Sequence, residues 1–177
     1  MIYSQAAIPD PYVILGLKLR PLSLGHYLLM SRFDVAFVAS EERNATFDDL
    51  ILGVLICSMG YDDFLRFMES KNFRREIAAW GRKIGLFDPV EKIVLFNQYI
   101  REGSKAPLYW IEKEGRNNSG AHWTHALKTT LVSKCGYTNS EALNAPLSQA
   151  LSDYFQYAES EGFVRLMTED EIKQVEA

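Results

Sequence analysis

The sequence predicts a mainly α fold, a compact multi-helix domain led by a short extended segment or hairpin, and three observations carry that expectation. Apolar residues recur at helical rather than alternating spacing through most of the chain. Helix-start signals stand just ahead of those runs, at Ser23, Thr46, Asp88 before Pro89, Thr138 and Thr168. About eight helical stretches follow, against one short β-like piece. The 177 residues suit a single domain spanning residues 1–177.

The β-like piece is "YVILGLKLRPL", rich in branched residues, broken at Gly16 and stopped by Pro21. It reads as a small hairpin with its turn near Leu15-Gly16. Ser23 then caps a short helix through "LGHYLLMSRF", and residues 34–44 show no firm period and read as a connector. Thr46 and Asp49 stand at capping-box spacing ahead of "FDDLILGVLICSM", whose continuous apolar character predicts the central buried helix. Gly53 is expected to let a neighbouring helix approach closely, and Gly60 to end the helix. Phe64, Leu65, Phe67 and Met68, then Phe73, Ile77, Trp80 and Ile84, mark two amphipathic helices with one wet face each. Asp88-Pro89-Val90-Glu91 opens the helix "PVEKIVLFNQYIREG".

Residues 103–120, "GSKAPLYWIEKEGRNNSG", lose periodicity and carry turn-forming residues, so they read as a flexible linker ahead of a C-terminal helical part. That part begins with "AHWTHALKTTLVSKCG", in which Trp123 is expected to pack inward with Leu127, Thr130 and Leu131. Thr138 with Glu141 caps a further helix, restarted at Pro146 and closed by Gly162, and Thr168 with Glu171 announces a short last one. The expected core contains Leu50, Leu52, Leu55, Ile56, Phe64, Ile77, Trp80, Ile93, Leu95 and Leu131.

Composition narrows the function classes. A net charge of −4 gives no overall phosphate-tracking surface, so nucleic acid is not expected as the main partner. Cys57 and Cys135 form neither a C-x-x-C nor a secreted-type disulfide framework, which suits a reducing cytoplasm. The first residues hold no basic n-region or apolar h-region, and Leu50 to Met59 is too short to span a bilayer, so no membrane partner is expected.

Several constellations invite chemistry and fall short of it. His122 and His125 share a helix face, but zinc needs at least a third ligand and H-E-x-x-H is absent, so no metal is expected. His26 with Ser23 lacks an orienting acid and a nucleophile elbow. Cys57 has no cation beside it and reads as a small buried hydrophobe. Asp48-Asp49 and Asp62-Asp63 occupy first helical turns, where carboxylates favour the helix dipole. No catalytic residue, cofactor site or metal site is therefore expected.

Two places instead invite a partner. "KNFRREIAAWGRK" clusters Lys71, Arg74, Arg75, Arg82 and Lys83, with the solvated face of an amphipathic helix as the ordinary reading. Tyr109 and Trp110 stand in the polar linker, where aromatics either fold back or anchor a partner. Tyr109, Trp110, Arg74 and Arg82 are the candidate partner-binding residues.

Two stretches carry a family resemblance. "LGLKLRPLSLGHYLLMSRF", followed by "DLILGVLICSMGYDDF", and "HWTHALKTTLVSKCGYTNSEALNAPLSQALSDYFQYAESEGFVRLMTED" resemble a small protein of tailed-bacteriophage tail gene clusters. That group pairs an L-R-P-L-S/T-L-G-H segment with an apolar helix ending in a C-S-type dipeptide. The resemblance implies a non-enzymatic tail assembly chaperone-like protein whose partner is the tape-measure or another tail protein, in the host cytoplasm or the virion. The rivals are a structural virion component such as a head-tail connector, and a small enzyme using His26, His122 or His125 in acid-base chemistry. Residues 71–105 lie outside the resemblance.

Overall fold

The structure is a computed structural model that describes residues 12–39, 44–84, 89–112 and 122–176. It opens on a two-stranded hairpin, β1 (Val13–Ile14) and β2 (Leu17–Lys18), with Val13 opposite Lys18 and Ile14 opposite Leu17. Both turn residues have positive φ, 54° at Leu15 and 75° at Gly16, the geometry of a turn whose twist matches the strands it joins. The left-handed backbone at Leu15 is offset by burial of its side chain.

Helix α1 (Leu24–Arg32) follows, capped by Ser23, and α2 (Phe47–Ser58) is capped by Thr46 and Asp49 in a full capping box. The Asp49 carboxylate also accepts the Ala36 N–H at 3.1 Å, tying the connector to the start of α2. Leu50, Ile51, Gly53, Val54, Leu55, Ile56 and Cys57 are buried, so α2 is the central helix. It ends at Met59, and Gly60 serves as the N-cap of α3 (Tyr61–Glu69) rather than as a left-handed stop.

Helix α4 (Phe73–Ile84) packs on α2 and α3 through half-buried Phe73, Ile77 and Trp80. Helix α5 (Pro89–Gly103) buries Phe96, Tyr99, Ile100 and Gly103, an i, i+3, i+4, i+7 stripe laid against α2 and β1. The Phe96 ring lies over Gly53, where a Cβ would come within 2.7 Å of it. Asp88, the expected cap of α5, lies outside the described residues.

Strand β3 (Tyr109–Ile111) occupies the stretch read as a linker, whose remainder at 113–120 lies outside the described residues. Then come α6 (Trp123–Lys134), α7 (Asn139–Asn144), α8 (Leu147–Ser160), β4 (Val164–Leu166) and α9 (Glu169–Glu176). The Thr138/Glu141 capping box forms, and Thr168 and Glu171 exchange the same bonds at α9. Helices α6 and α7 pack on α1, and Leu147 donates its N–H to the Leu22 carbonyl at 2.6 Å.

Of the expected core, Leu50, Leu55, Ile56, Phe64 and Leu131 are buried, while Leu52, Ile77, Trp80, Ile93 and Leu95 pack around them half-buried. Trp123 departs from expectation: it is 41% exposed, edge-on to Tyr27 with centroids 4.9 Å apart. The inward stripe of α6 is Thr124, Leu127 and Leu131, and Trp123 stands one residue off it.

Candidate interaction surfaces

Among the described residues, the largest group of exposed apolar side chains lies on the β3–β4 ribbon. The strands run antiparallel with Tyr109 opposite Leu166, Trp110 opposite Arg165 and Ile111 opposite Val164. Two further bonds lengthen the ladder, Met167 N–H to the Leu108 carbonyl and Glu112 N–H to the Phe163 carbonyl, both at 3.0 Å. The pairing replaces the expected loop for a physical reason. Leu108 to Ile111 and Phe163 to Leu166 are dominated by aromatic and branched residues, which suit a pleated ribbon once a partner strand is beside them. Gly162, at φ 70°, provides the left-handed residue that stops α8 and starts β4.

The two faces of the ribbon differ. Tyr109 turns toward α8 and packs on Phe155 with ring centroids 4.4 Å apart. Trp110 lies on the other face, across from Arg165. The Arg165 guanidinium is held by Glu171, with bonds of 2.8 and 3.1 Å, and stands 3.7 Å from Glu112. The guanidinium and the Thr168 cap keep the Glu171 carboxyl down at about 2. This fork fixes α9 to the ribbon, and Trp110 beside it remains 45% exposed and Ile111 71%. Leu108 and Phe163 extend the exposed apolar strip.

The edges of the ribbon differ too. On β4 the Leu166 N–H is occupied by Glu159 Oε1 at 2.8 Å. On β3 the ladder register turns the backbone groups of Tyr109 and Ile111 away from β4, and no strand among the described residues covers that side. An apolar, uncovered strand edge is a template for an added strand.

Arg74 and Arg82 are exposed on α4, away from the ribbon, which packs on α8. His122 is the N-cap residue of α6, its Nδ1 2.8 Å from Thr124 Oγ1, and both His122 and His125 are exposed. No group of three metal-ligating side chains occurs among the described residues.

His26 and Ser23 meet as a capping box, not as a nucleophile and base. Ser23 Oγ accepts the His26 N–H, His26 Nδ1 accepts the Ser23 N–H, and Nε2 lies 2.7 Å from the Met59 carbonyl. These partners place the ring proton on Nε2. Burial pushes the His26 pKa down to about 4, the Met59 bond opposes this, and Arg20 adds to it. Burial likewise raises the Cys57 thiol to about 12, which removes thiolate character.

A cavity of about 480 Å³ is lined by Cys135, Gly136, Tyr137, Glu141, Asn144 and Ala145. Its polar groups are engaged within the fold: Tyr137 with Asp153, Glu141 with Thr138, and Asn144 with the Tyr61 N–H and the Ser140 carbonyl. No helix among the described residues is long and apolar enough to cross a membrane.

Fold and surfaces together define a mainly helical domain that presents an apolar β ribbon and, elsewhere, a basic helix face. No protein-family model, curated protein or solved structure matches the chain.

Proposed function

We propose that the protein is a non-enzymatic binding protein of phage morphogenesis, acting in the host cytoplasm as a tail assembly chaperone-like partner of another tail protein. The observation that carries the binding role is the exposed apolar strip Leu108–Tyr109–Trp110–Ile111 with Phe163, set on a strand whose outer edge is open. Such a strip is costly in water and suits a client segment that adds as a further strand, with main-chain bonds giving affinity and Trp110 and Ile111 giving side-chain contact. The tail setting rests on the sequence resemblance of the N-terminal and C-terminal stretches, the latter of which includes β4.

Hydrogen exchange tests the mode of contact. In a complex with its tail-protein client, the amides of Tyr109 and Ile111 become protected, while those of the β1–β2 hairpin keep their free-state rates. Unchanged exchange at Tyr109 and Ile111 in a complex that does form would remove the ribbon edge from the contact.

A further inference from the structure

Helix α4 turns Arg74, Arg75 and Arg82 away from the face that carries its apolar residues. Phe73, Ile77 and Trp80 face α2 and α3. Lys71, in the turn before the helix, and Arg75 and Arg82 follow one another at i, i+4 and i+11, with Arg74 beside them, and all four are exposed. None of the four forms an ion pair with a carboxylate among the described residues, although the exposed Arg66 and Lys173 both do. The segment 71–83 holds five basic residues and one acidic residue in a chain of net charge −4, which leaves −8 for the rest. Ala78 and Gly81 lie between the arginines, both exposed, and a Cβ built on Gly81 meets nothing within 4 Å. An exposed mid-helix glycine costs about 1 kcal/mol of helix stability relative to alanine. Together these small residues make a low floor flanked by guanidinium groups.

We infer that this face of α4 is a docking surface for the acidic face of an amphipathic helix in another protein. Charge complementarity selects an anionic occupant, and the dimensions select a short one. Arg75 and Arg82 lie roughly 10 Å apart along the axis, two turns of a helix, so carboxylates two turns apart on a facing helix reach both. The floor at Ala78 and Gly81 lets the two helix backbones approach, as small residues do wherever helices pack closely. A long nucleic acid fits less well. The neighbouring α3 exposes Asp62, Asp63 and Glu69, and the remainder of the chain is strongly negative, so a polyphosphate running past the patch meets repulsion. Three of the four cations are arginines, whose planar fork pairs bidentately with carboxylates. This surface is separate from the β3–β4 ribbon and stands or falls independently of it.

The test uses the full chain and a fluorescent, alanine-based helical peptide carrying glutamates at i, i+4, i+7 and i+11, with a glutamine version and a single-stranded oligodeoxythymidine as comparators. Anisotropy at low salt is expected to show binding of the glutamate peptide that weakens as salt rises. The double substitution Arg75→Glu with Arg82→Glu is expected to weaken it by at least about tenfold, whereas Arg101→Glu on α5 leaves it unchanged. Arg75→Gln with Arg82→Gln repeats the comparison should the charge reversal disturb the helix, with circular dichroism as the check on folding. The inference is overturned if the glutamate peptide does not bind or the glutamine peptide binds equally well. It is also overturned if the oligonucleotide binds more tightly through the same arginines, which identifies a phosphate polymer. Salt-sensitive self-association abolished by the same substitutions would overturn it in favour of a second copy of the chain.

Discussion

His26 shows how one side chain joins two helices and gives the fold a pH dependence. Its ring accepts the Ser23 N–H that starts α1 and donates to the Met59 carbonyl that ends α2, in a position from which water is excluded. The neutral ring is therefore built in. With the folded pKa lowered from 6.5 to about 4, the unfolded chain binds the proton first as pH falls. The contribution of His26 is thus fully present above about pH 6.5 and is lost progressively down to about pH 4, amounting to about 3 kcal/mol. Urea unfolding at pH 7 and pH 4.5 should show this fall, and His26→Gln should flatten it; an equal fall in the variant would assign the effect to other groups. Gly53 is the second single-residue constraint, because Phe96 Cε1 lies 2.7 Å from where a Cβ would be. Gly53→Ala should cost about 1 to 3 kcal/mol through overpacking. In a Phe96→Leu background the same change should be close to neutral, since alanine is the better helix former. A cost unchanged by Phe96→Leu would place the clash elsewhere.

At the scale of elements, the ribbon separates two aromatic neighbours that the sequence presents as a pair. Tyr109 packs on Phe155, so Tyr109→Ala should lower stability by about 1 kcal/mol. Trp110 faces away from α8 and is exposed, so Trp110→Ala should leave the melting temperature nearly unchanged; a fall as large as that of Tyr109→Ala would mean that Trp110 is part of the core. The helices were legible because their signals are local. Thr46 with Asp49, Thr138 with Glu141 and Thr168 with Glu171 write their starts within four residues, and each box forms. The hairpin was legible from Gly16 for the same reason. The β3–β4 ribbon was not, because its strands stand more than fifty residues apart in the chain, and neither alternates apolar with polar residues clearly enough to announce itself. Sequence alone singled out Tyr109 and Trp110 but missed Ile111, Phe163 and the ion-pair fork at Arg165 that the pairing brings together. Trp123 was misplaced because its size outweighed the i, i+3, i+7 spacing of Thr124, Leu127 and Leu131, which sets the buried face.

At the scale of the whole molecule, stability comes from an apolar core built around α2. Leu55→Ala should therefore cost about 2 to 5 kcal/mol, and a loss below about 0.5 kcal/mol would deny α2 its central place. Chelator should not lower the melting temperature, and zinc in protein purified without chelator should stay well below one equivalent. The fold presents its two unusual surfaces at separate places, an apolar ribbon edge and a basic helix face, which suits a protein that brings partners together. The most direct measurement of the central claim is co-purification. The chain is expressed with the products of the genes flanking its own, and the client it retains is quantified for the parent and for Trp110→Ala combined with Ile111→Ser. A stoichiometric complex with one tail protein is predicted, weakened in the double variant by about 2 kcal/mol or more, roughly thirtyfold in Kd, at an unchanged melting temperature. A complex retained at full strength by the variant, or no complex with any of these products, would contradict it.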